Sequence, residues 1–468
     1  MTMNRRSFLG TVVKATAATA AAVTFGLPVF ERQADASQGG PLVFVIVDDL
    51  ASFTDIDQWL IPRSDGRKSA PNPWMSGFAR KNTNFVNAHT ASPACGSSRP
   101  AMLWGVPPHV SGIMTHAQAG DWAASPALQG RSIIGRLRDA GWNTHGFGKI
   151  FHSEQIDGMP DCWTSFTPHV SDNDWHDKFG NGFAPGFGQI GPHGPTYWAG
   201  PDQLPDHAMV GSAISAMRSG GPGDAFFVGI SKPHVGLEIP QRFHNAIDPD
   251  EIVLPAVGPT LTGDALAFQQ GAFGPDMQGI VDTGQQRQLI ASYLAAVKFA
   301  DFQFMRIMTS LPPNSTVILT SDHGFALGER MAFSKQTLWS QSTKIPLVVS
   351  GPARKVWTAT SALDVHETIA DICGLGSSGG DSLRAIAGRP YDDSRAVLTS
   401  YEGPARVGSP VGHAVQQGGH HYIAYGDGSH ELHWTFSGAE MEMLDMAEWP
   451  GKVAVIEECR TRLPGGTS

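Results

Sequence analysis

The stretch Pro41-Leu42-Val43-Phe44-Val45-Ile46-Val47-Asp48-Asp49 decides the fold of this chain. The residues before the two aspartates form an uninterrupted apolar run that is rich in β-branched side chains. Such a run predicts a strand buried on both faces, as strands are in a parallel sheet covered by helices. The run ends at Asp48 and Asp49, so two carboxylates lie at the carboxyl end of a central strand, where open α/β sheets bind their ligands.

Two later apolar runs end in the same way. Residues 225–230 lead into Ser231-Lys232-Pro233-His234, and residues 315–320 lead into Ser321-Asp322-His323-Gly324. Because the carboxyl ends of parallel strands meet at one edge of a sheet, these polar ends predict a single site. Helices are predicted just after Cys95 and over residues 74–81, 132–140, 285–311 and 364–373.

The C-terminal part has a different pattern. Residues 421–425, followed by Gly426-Asp427-Gly428, predict a β-hairpin. The fold class predicted is therefore α/β, with a large, mainly parallel mixed sheet sandwiched by helices and a small C-terminal antiparallel sheet subdomain. We place the domain that carries these polar strand ends at residues 37–350 and the C-terminal subdomain at residues 351–468. A long loop over residues 157–205, rich in Gly, Pro and Trp, is expected to roof the site.

The N-terminus predicts export. Asn4-Arg5-Arg6-Ser7-Phe8-Leu9-Gly10 is a twin-arginine pattern, an apolar stretch follows it, and Ala34-Asp35-Ala36 is a small-x-small cleavage site. We predict a twin-arginine signal peptide over residues 1–36, export by the twin-arginine machinery, and a periplasmic or secreted mature protein. The alternative is a membrane anchor or a chance arginine pair.

Charge and hydropathy exclude other classes of partner. The formal net charge is −10, and no dense basic run follows the first few residues, which argues against a nucleic-acid partner. No later segment is long and apolar enough to cross a bilayer, so we do not expect an integral membrane protein.

Cys95 lies in an unusual local setting. It is flanked by small residues within Ser92-Pro93-Ala94-Cys95-Gly96-Ser97-Ser98-Arg99, just where a helix is predicted to begin. The unsatisfied N–H groups of a helix N-terminus favour an oxyanion, and Arg99 adds a forked cation one turn later. A lone cysteine is more often an inert core residue, but this setting makes Cys95 a candidate nucleophile. The other cysteines are too few and too scattered for a disulfide scaffold, and a single bridge from Cys162 stays open.

A metal site is predicted beside it. Asp48, Asp49, Asp322 and His323 follow two buried strands and can surround one divalent cation. Three carboxylates favour Ca²⁺ or Mg²⁺ over zinc, and a single histidine does not reverse that preference.

These motifs together resemble the sulfatase family. The segment from Cys95 to Gly105 is similar to the family signature, which is Cys-x-Pro-Ser-Arg followed by a small residue, Leu and Gly. The resemblance runs from about Leu42 to the C-terminal hairpin and is strongest to the iduronate-2-sulfatase branch. The other motifs that carry it are Asp48-Asp49, Gly148-Lys149-Ile150-Phe151-His152, Lys232-Pro233-His234, Ser321-Asp322-His323-Gly324 and Lys335.

The resemblance implies an alkaline-phosphatase-like fold and a definite chemistry. A maturation enzyme would oxidise Cys95 to formylglycine, whose hydrate attacks the sulfur of a sulfate monoester with one hydroxyl and expels sulfate with the other. A cation, Ca²⁺ with Mg²⁺ as the alternative, would be held by Asp48, Asp49, Cys95, Asp322 and His323. Arg99 and Lys149 would stabilise developing charge and His152 would act as the base. His234 and Lys335 would bind sulfate and protonate the leaving oxygen.

Three positions depart from the family pattern. Ser97 replaces the signature proline that the maturation enzyme recognises, so position 95 has two possible states, formylglycine and thiol. Trp104 replaces the usual Thr, and Ala70-Pro71-Asn72-Pro73 lacks the hydroxyl that usually caps the first helix. The alternatives to a sulfatase are a phosphoesterase or phosphonate hydrolase of the same superfamily and an inactive protein that binds sulfated glycans. The sulfated substrate, a small molecule or a glycan, is not readable from the sequence.

Overall fold

The large sheet contains eight strands in a computed structural model of the chain. Its spatial order is β8-β2-β7-β6-β1-β5-β3-β4 once the strands are numbered along the chain. The strands are β1 (Leu42–Val47), β2 (Thr83–Phe85), β3 (Asn143–Gly148), β4 (Ser165–Pro168), β5 (Asp224–Ile230), β6 (Thr316–Ser321), β7 (Leu347–Val349) and β8 (Arg354–Val356). The structure describes residues 39–56, 59, 61–62, 68–115, 118, 125–128, 130, 132–152, 162–169, 197–198, 204–237, 239–255, 261–270, 281, 284–403, 411–435, 445–449 and 451–465.

Strand β1 is the centre of this sheet and is fully buried. It pairs in parallel with β6 on one side and with β5 on the other, and Val47 lies opposite both Ser321 and Ile230. The residues that follow these strands therefore leave the sheet at one edge. This register confirms the predicted convergence of the three polar strand ends.

The rest of the sheet is mixed. Strands β3 and β4 continue the parallel order beyond β5, whereas β7 runs antiparallel to both β6 and β2. Strand β8 pairs in parallel with β2, although its residues lie beyond the boundary predicted near residue 350. The predicted mainly parallel mixed sheet is confirmed, and the domain boundary itself stays a prediction.

Helices cover both faces of the sheet, as predicted. On one face Val43 and Val45 pack into a large apolar core, and on the other Phe44 and Ile46 pack into a second core. The alternation follows from the two-residue period of a strand. The main helices of the first face are Pro73–Lys81, Pro205–Met217 and Gln286–Met308. Those of the second face are Cys95–Trp104, Ile133–Asp139, Asp364–Ile372 and Leu383–Ala387.

A four-stranded antiparallel sheet forms the C-terminal part. Its strands are β9 (Ala396–Glu402), β10 (Val411–Gln417), β11 (His420–Tyr425) and β12 (His430–Trp434), paired in that order. The predicted hairpin is the pair β11–β12, whereas β9 and β10 were not predicted.

The described residues also form shorter elements. The remaining α-helices among them are Phe53–Ile56, Pro108–Ser111, Gln241–His244, Gly263–Gln270, Ser340–Thr343 and Val453–Arg460. The short strand pairs are Ile61–Pro62 with Lys68–Ser69, Ala88–His89 with Thr360–Ser361, Tyr197–Trp198 with Ile239–Pro240, and Ala326–Leu327 with Phe333–Ser334.

Membrane spans, disulfides and the signal peptide were also predicted from the sequence. Among the described residues, no helix combines the length and apolar character needed to cross a bilayer. None of the four cysteines forms a disulfide, so the possible bridge from Cys162 is not formed. The predicted signal peptide and most of the loop over residues 157–205 lie outside the described residues.

The helix Pro73–Lys81 begins without a cap from its own segment. Its N-cap residue, Asn72, makes no side-chain capping hydrogen bond, which agrees with the capping hydroxyl missing from this segment. The carboxylate of Asp301, from the helix Gln286–Met308, instead accepts the amides of Trp74 at 3.1 Å and Met75 at 2.8 Å. Burial raises the pKa of Asp301 to about 7, despite the lowering effect of these hydrogen bonds.

We expect Asp301→Ala to leave both amides without their acceptor and to lower the free energy of unfolding by about 1–2 kcal/mol. Urea unfolding followed by circular dichroism measures this change. Asp301→Asn is the matched control, because it keeps a carbonyl acceptor and should lose clearly less stability. Equal stability of the wild type and the Ala variant would show that this carboxylate is not the cap.

Candidate active site

The candidate active site lies at the edge of the large sheet where β1 and β6 end. The helix Cys95–Trp104 starts there, and all ten of its residues are buried. The first turn of this helix and the segment before it contact the residue that follows β6. The hydroxyl of Ser98 donates to the Asp322 carbonyl at 2.5 Å, and that of Thr90 donates to the same carbonyl at 2.7 Å. The sequence therefore brings Cys95 to the aspartates through a helix start, as the small residues around it predicted.

Arg99 joins the two strand ends. Its guanidinium is fully buried and donates to Asp48 Oδ1 at 2.7 Å and to Asp322 Oδ2 at 2.9 Å. It also donates to the carbonyl of Ile150 at 3.1 Å, in the segment that follows β3. Although burial lowers the pKa of a guanidinium, the adjacent Asp322 and Asp48 raise that of Arg99, so it stays a cation. One side chain thus connects three strand ends.

Asp49 has a constrained backbone and an open carboxylate oxygen. Its φ of 59° lies in the left-handed region, which non-glycine residues rarely adopt. The hydroxyl of Tyr293 donates to the Asp49 carbonyl at 2.7 Å and holds the next turn by accepting the Ala51 amide at 2.9 Å. In the side chain, Oδ1 accepts Lys335 Nζ at 2.7 Å, whereas Oδ2 is buried and has no hydrogen-bond partner among the residues that the structure describes.

The thiol of Cys95 is completely buried among charged groups. Its Sγ lies 3.0 Å from Lys335 Nζ, 3.2 Å from His323 Nε2 and 3.8 Å from Asp49 Oδ1. Burial by itself raises a thiol pKa, but the nearby Lys335 ammonium reverses the effect and lowers the pKa of Cys95. In a protein with formylglycine at this position, Sγ marks the place where an aldehyde or hydrate oxygen would lie.

The neighbouring groups respond to each other's charges. Burial lowers a lysine pKa, but Asp49 and Cys95 outweigh it and raise that of Lys335 above its usual value. His323 behaves in the same way, because the charges of Asp322 and Cys95 raise its pKa to about 9 against the effect of burial. Burial raises the pKa of Asp49 to about 7, against the lowering effect of Lys335. The site thus stabilises negative charge at position 95.

Lys149 and the two remaining histidines lie around this centre. Lys149 Nζ donates to Asp48 Oδ2. His234 is partly exposed, and the Val235 carbonyl lies 3.0 Å from its Nδ1. Burial, with the positive charges of Lys335 and Lys149, holds the pKa of His234 well below its usual value. His152 is similar, and burial with the charge of Lys149 lowers its pKa to about 3. Both imidazoles are therefore neutral near pH 7.

The donor set fits a hard divalent cation. Ligand atoms of Asp48, Asp49, Cys95 and His234 all lie within 4.8 Å of one another, as do those of Cys95, Asp322 and His323. The two groups share Cys95, and Asp49 Oδ2 is a buried oxygen that no described residue satisfies with a hydrogen bond. Carboxylate oxygens are the ligands that Ca²⁺ and Mg²⁺ prefer. His234 is therefore grouped with the predicted metal ligands. The sequence predicted for it only the binding of sulfate and the protonation of the leaving oxygen.

Sequence reasoning missed the residues that hold this arrangement. Tyr293 and Thr90 shape the backbone around Asp49 and Asp322, yet each lies in a segment with no motif of its own. Ser98 belongs to the signature itself, but its hydrogen bond to the Asp322 carbonyl was not predicted. Ser97, at the position of the signature proline, is buried in the first turn of its helix, where its hydroxyl lies 2.6 Å from that of Ser92. Trp104 ends the same helix, and its indole N–H donates to the Gly130 carbonyl at 2.9 Å.

Comparison with known proteins places this geometry in a family. The family described as "Sulfatase" matches residues 42–375 of the chain. A sulfatase from Formosa agariphila is 26% identical over 416 residues, which cover 84% of this chain and 80% of that protein. Iduronate 2-sulfatase from Homo sapiens is 25% identical over 358 residues, which cover 67% of this chain and 60% of that protein.

A solved structure confirms the predicted fold. Phosphonate monoester hydrolase from Silicibacter pomeroyi superposes with a TM-score of 0.67 at 17% identity, covering 89% of this chain and 93% of that one. At this level of identity the likeness concerns the fold alone. The match over residues 42–375 decides the family: the chain belongs to the sulfatases and is an enzyme of that family.

Proposed function

We propose that this sulfatase hydrolyses a sulfate monoester with formylglycine made from Cys95 and one divalent cation. The observation that carries the proposal is the position of Cys95 Sγ. It lies within 3.8 Å of a lysine ammonium, an imidazole and a carboxylate in a fully buried site. An inert core cysteine would instead be surrounded by apolar side chains.

The cation would be held by Asp48, Asp49, Asp322 and His323 together with position 95. When present, the cation polarises a sulfate oxygen and the hydrated aldehyde supplies the attacking hydroxyl. Arg99 keeps two of the ligand carboxylates in place by its hydrogen bonds to them. We assign Ca²⁺ to the site, with Mg²⁺ as the alternative, because its ligands are mainly carboxylates.

The remaining polar residues bind sulfate and move protons. Lys149 and Lys335, both buried and cationic, offer ammonium donors to the sulfate oxygens and to the charge that develops on them. His152 is neutral at physiological pH and can accept the proton whose removal releases sulfate. His234 is partly exposed, and an anionic sulfate ester beside it would raise its pKa, so that it can protonate the leaving oxygen.

We further propose that the maturation enzyme converts Cys95 despite Ser97. Ser97 lies in the first turn of its helix, where the fixed φ of a proline is tolerated. The Ser97 amide donates to the Ala94 carbonyl at 3.2 Å, and this single bond is what a proline there would give up. We propose that conversion precedes export, because the twin-arginine machinery moves folded proteins. The mature enzyme would act on a sulfated small molecule or glycan in the periplasm or outside the cell.

Peptide mass spectrometry across Cys95 is the direct test of this conversion. In protein from a host with the maturation enzyme, we expect the peptide to lose about 18 Da, the difference between –CH₂SH and –CHO. Ser97→Pro restores the signature and should raise the converted fraction, whereas Cys95→Ser should show no loss. A wholly unmodified thiol in both the wild type and Ser97→Pro would contradict the proposed nucleophile.

Removal of the cation should abolish turnover. We expect a chelator to reduce sulfate release from a chromogenic aryl sulfate by more than about 10²-fold, because the ion stabilises several kcal/mol of transition-state charge. Added Ca²⁺ or Mg²⁺ should restore activity in the wild type but not in Asp49→Asn. Full activity after exhaustive chelation would exclude a role for the cation.

Loss of the proposed acid should affect poor leaving groups most. For His234→Ala we expect kcat/KM to fall about 10²- to 10⁴-fold with an alkyl sulfate and much less with 4-nitrophenyl sulfate, whose phenolate needs no proton. Steady-state kinetics on the two esters measures the difference. Equal losses on both esters would assign His234 to binding or metal ligation instead.

A further inference from the structure

The carboxylate of Glu431 gathers several hydrogen-bond donors at a place outside the active site. Glu431 lies on β12 of the C-terminal sheet and is buried. Its donors are Arg330 Nη1 at 2.7 Å, Tyr425 Oη at 2.7 Å, His433 Nε2 at 2.8 Å and Trp339 Nε1 at 3.3 Å. Burial raises a carboxyl pKa, but the His433 hydrogen bond and the Arg330 charge outweigh it and lower that of Glu431 to about 2. The carboxylate is therefore ionised throughout the physiological range.

Two of these donors lie on either side of Lys335 along the chain. Arg330 precedes Lys335 by five residues and Trp339 follows it by four. The guanidinium of Arg330 also lies over the indole of Trp339, 4.9 Å from its ring centroid. Glu431 thus closes the segment from Arg330 to Trp339 into a loop whose two ends meet at one carboxylate. Lys335 lies within that loop.

The backbone of this segment is strained. Arg330, Met331, Ser334 and Gln336 have φ values of 53°, 59°, 76° and 74°, all in the left-handed region. Non-glycine residues in this region each cost about 1–3 kcal/mol and persist only where surrounding contacts enforce them. Lys335 stands between two of the four residues, so its direction depends on this conformation.

Contacts to the rest of the protein enforce the strained segment at several points. The Gln336 amide donates to the Pro93 carbonyl at 2.9 Å, just before the Cys95 helix. His421, on β11, lies with Nε2 2.7 Å from the Leu338 carbonyl. Of these anchors, Glu431 is the charged one, and Arg330 is its buried counterion. Removing one partner of a buried ion pair leaves the other charge uncompensated.

We propose that Glu431 is a positioning residue that holds Lys335 against Asp49 and position 95. This inference rests on the proposed role of Lys335 in binding sulfate. The C-terminal sheet would then contribute to catalysis without touching the substrate. Lys335 Nζ lies 2.7 Å from Asp49 Oδ1 and 3.0 Å from Cys95 Sγ, and a shift of about 1 Å in such a group can cost about 10²-fold in rate.

The test compares Glu431→Gln in two backgrounds. With Lys335 present, the substitution should lower kcat/KM for an aryl sulfate about 10²-fold. With Lys335→Ala it should lower the remaining kcat/KM by less than about threefold, because the group it positions is already gone. Equal losses in the two backgrounds would overturn the proposal, since they would mean that Glu431 acts on stability or on another group.

A second measurement does not depend on activity. In Glu431→Gln, amide hydrogen exchange should become at least about tenfold faster in residues 326–339, while β1 should exchange as in the wild type. Unchanged exchange in residues 326–339 would overturn the proposal even if activity fell. Lack of sulfatase activity in the converted wild type would count against the proposed function, whereas the exchange result would still decide the role of Glu431.

Two variants that each remove a single hydrogen bond to Glu431 test the proposal with less risk of misfolding. Trp339→Phe removes one donor from the Lys335 side of Glu431, and Tyr425→Phe removes one donor from the sheet side. We expect faster exchange and lower kcat/KM in the first variant and little change in the second. Asp364→Asn weakens a partly buried ion pair elsewhere, with Arg395 at 2.8 Å, and should lower stability without changing kcat/KM. Loss of activity in Asp364→Asn equal to that in Glu431→Gln would also contradict the proposal.

Discussion

The arrangement of this molecule depends on the two hydrogen-bonded ion pairs of Arg99. A single buried guanidinium binds the carboxylates that end β1 and β6 and a carbonyl beyond β3, so it determines how the Cys95 helix meets the sheet. Such a cation is stable in the interior only with its partners in place, because an uncompensated buried charge costs several kcal/mol. The proposed metal ligands, the residue at 95 and the basic groups are consequently held as one unit rather than as separate side chains.

The charges around position 95 favour a negatively charged group there. Arg99, Lys149 and Lys335 are buried cations, and the carboxylates of Asp48, Asp49 and Asp322 lie among them. In this low-dielectric setting every interaction is stronger than in water. The ammonium beside Cys95 lowers the pKa of its thiol, and the same donors would stabilise an oxyanion. The site is thus organised before substrate binds, which is what electrostatic catalysis requires.

The sequence predicts most of this architecture, because its strongest signals are local. Continuous apolar runs mark β1, β5 and β6, and the polar residues after them mark the edge where they end. The resemblance to sulfatases supplies the residues between, from Cys95 to Lys335. The contacts that the sequence does not predict join residues that lie far apart in the chain. Asp301 caps a helix that begins at Pro73, and Glu431 contacts both sides of the Lys335 segment. Strands β9 and β10 were missed because their apolar pattern is weak beside that of the central strands.

The proposed chemistry requires the acidic strand ends to hold a divalent cation directly against position 95. A crystal structure of the protein purified with Ca²⁺, with anomalous diffraction to identify the ion, tests this most directly. We predict one ion coordinated by Asp48, Asp49, Asp322 and His323, with the side chain at 95 as a further ligand and Asp49 Oδ2 bound to it. An ion located elsewhere, or a site at 95 that stays filled only by Lys335 and water at saturating Ca²⁺, would show that these residues do not form the cation site.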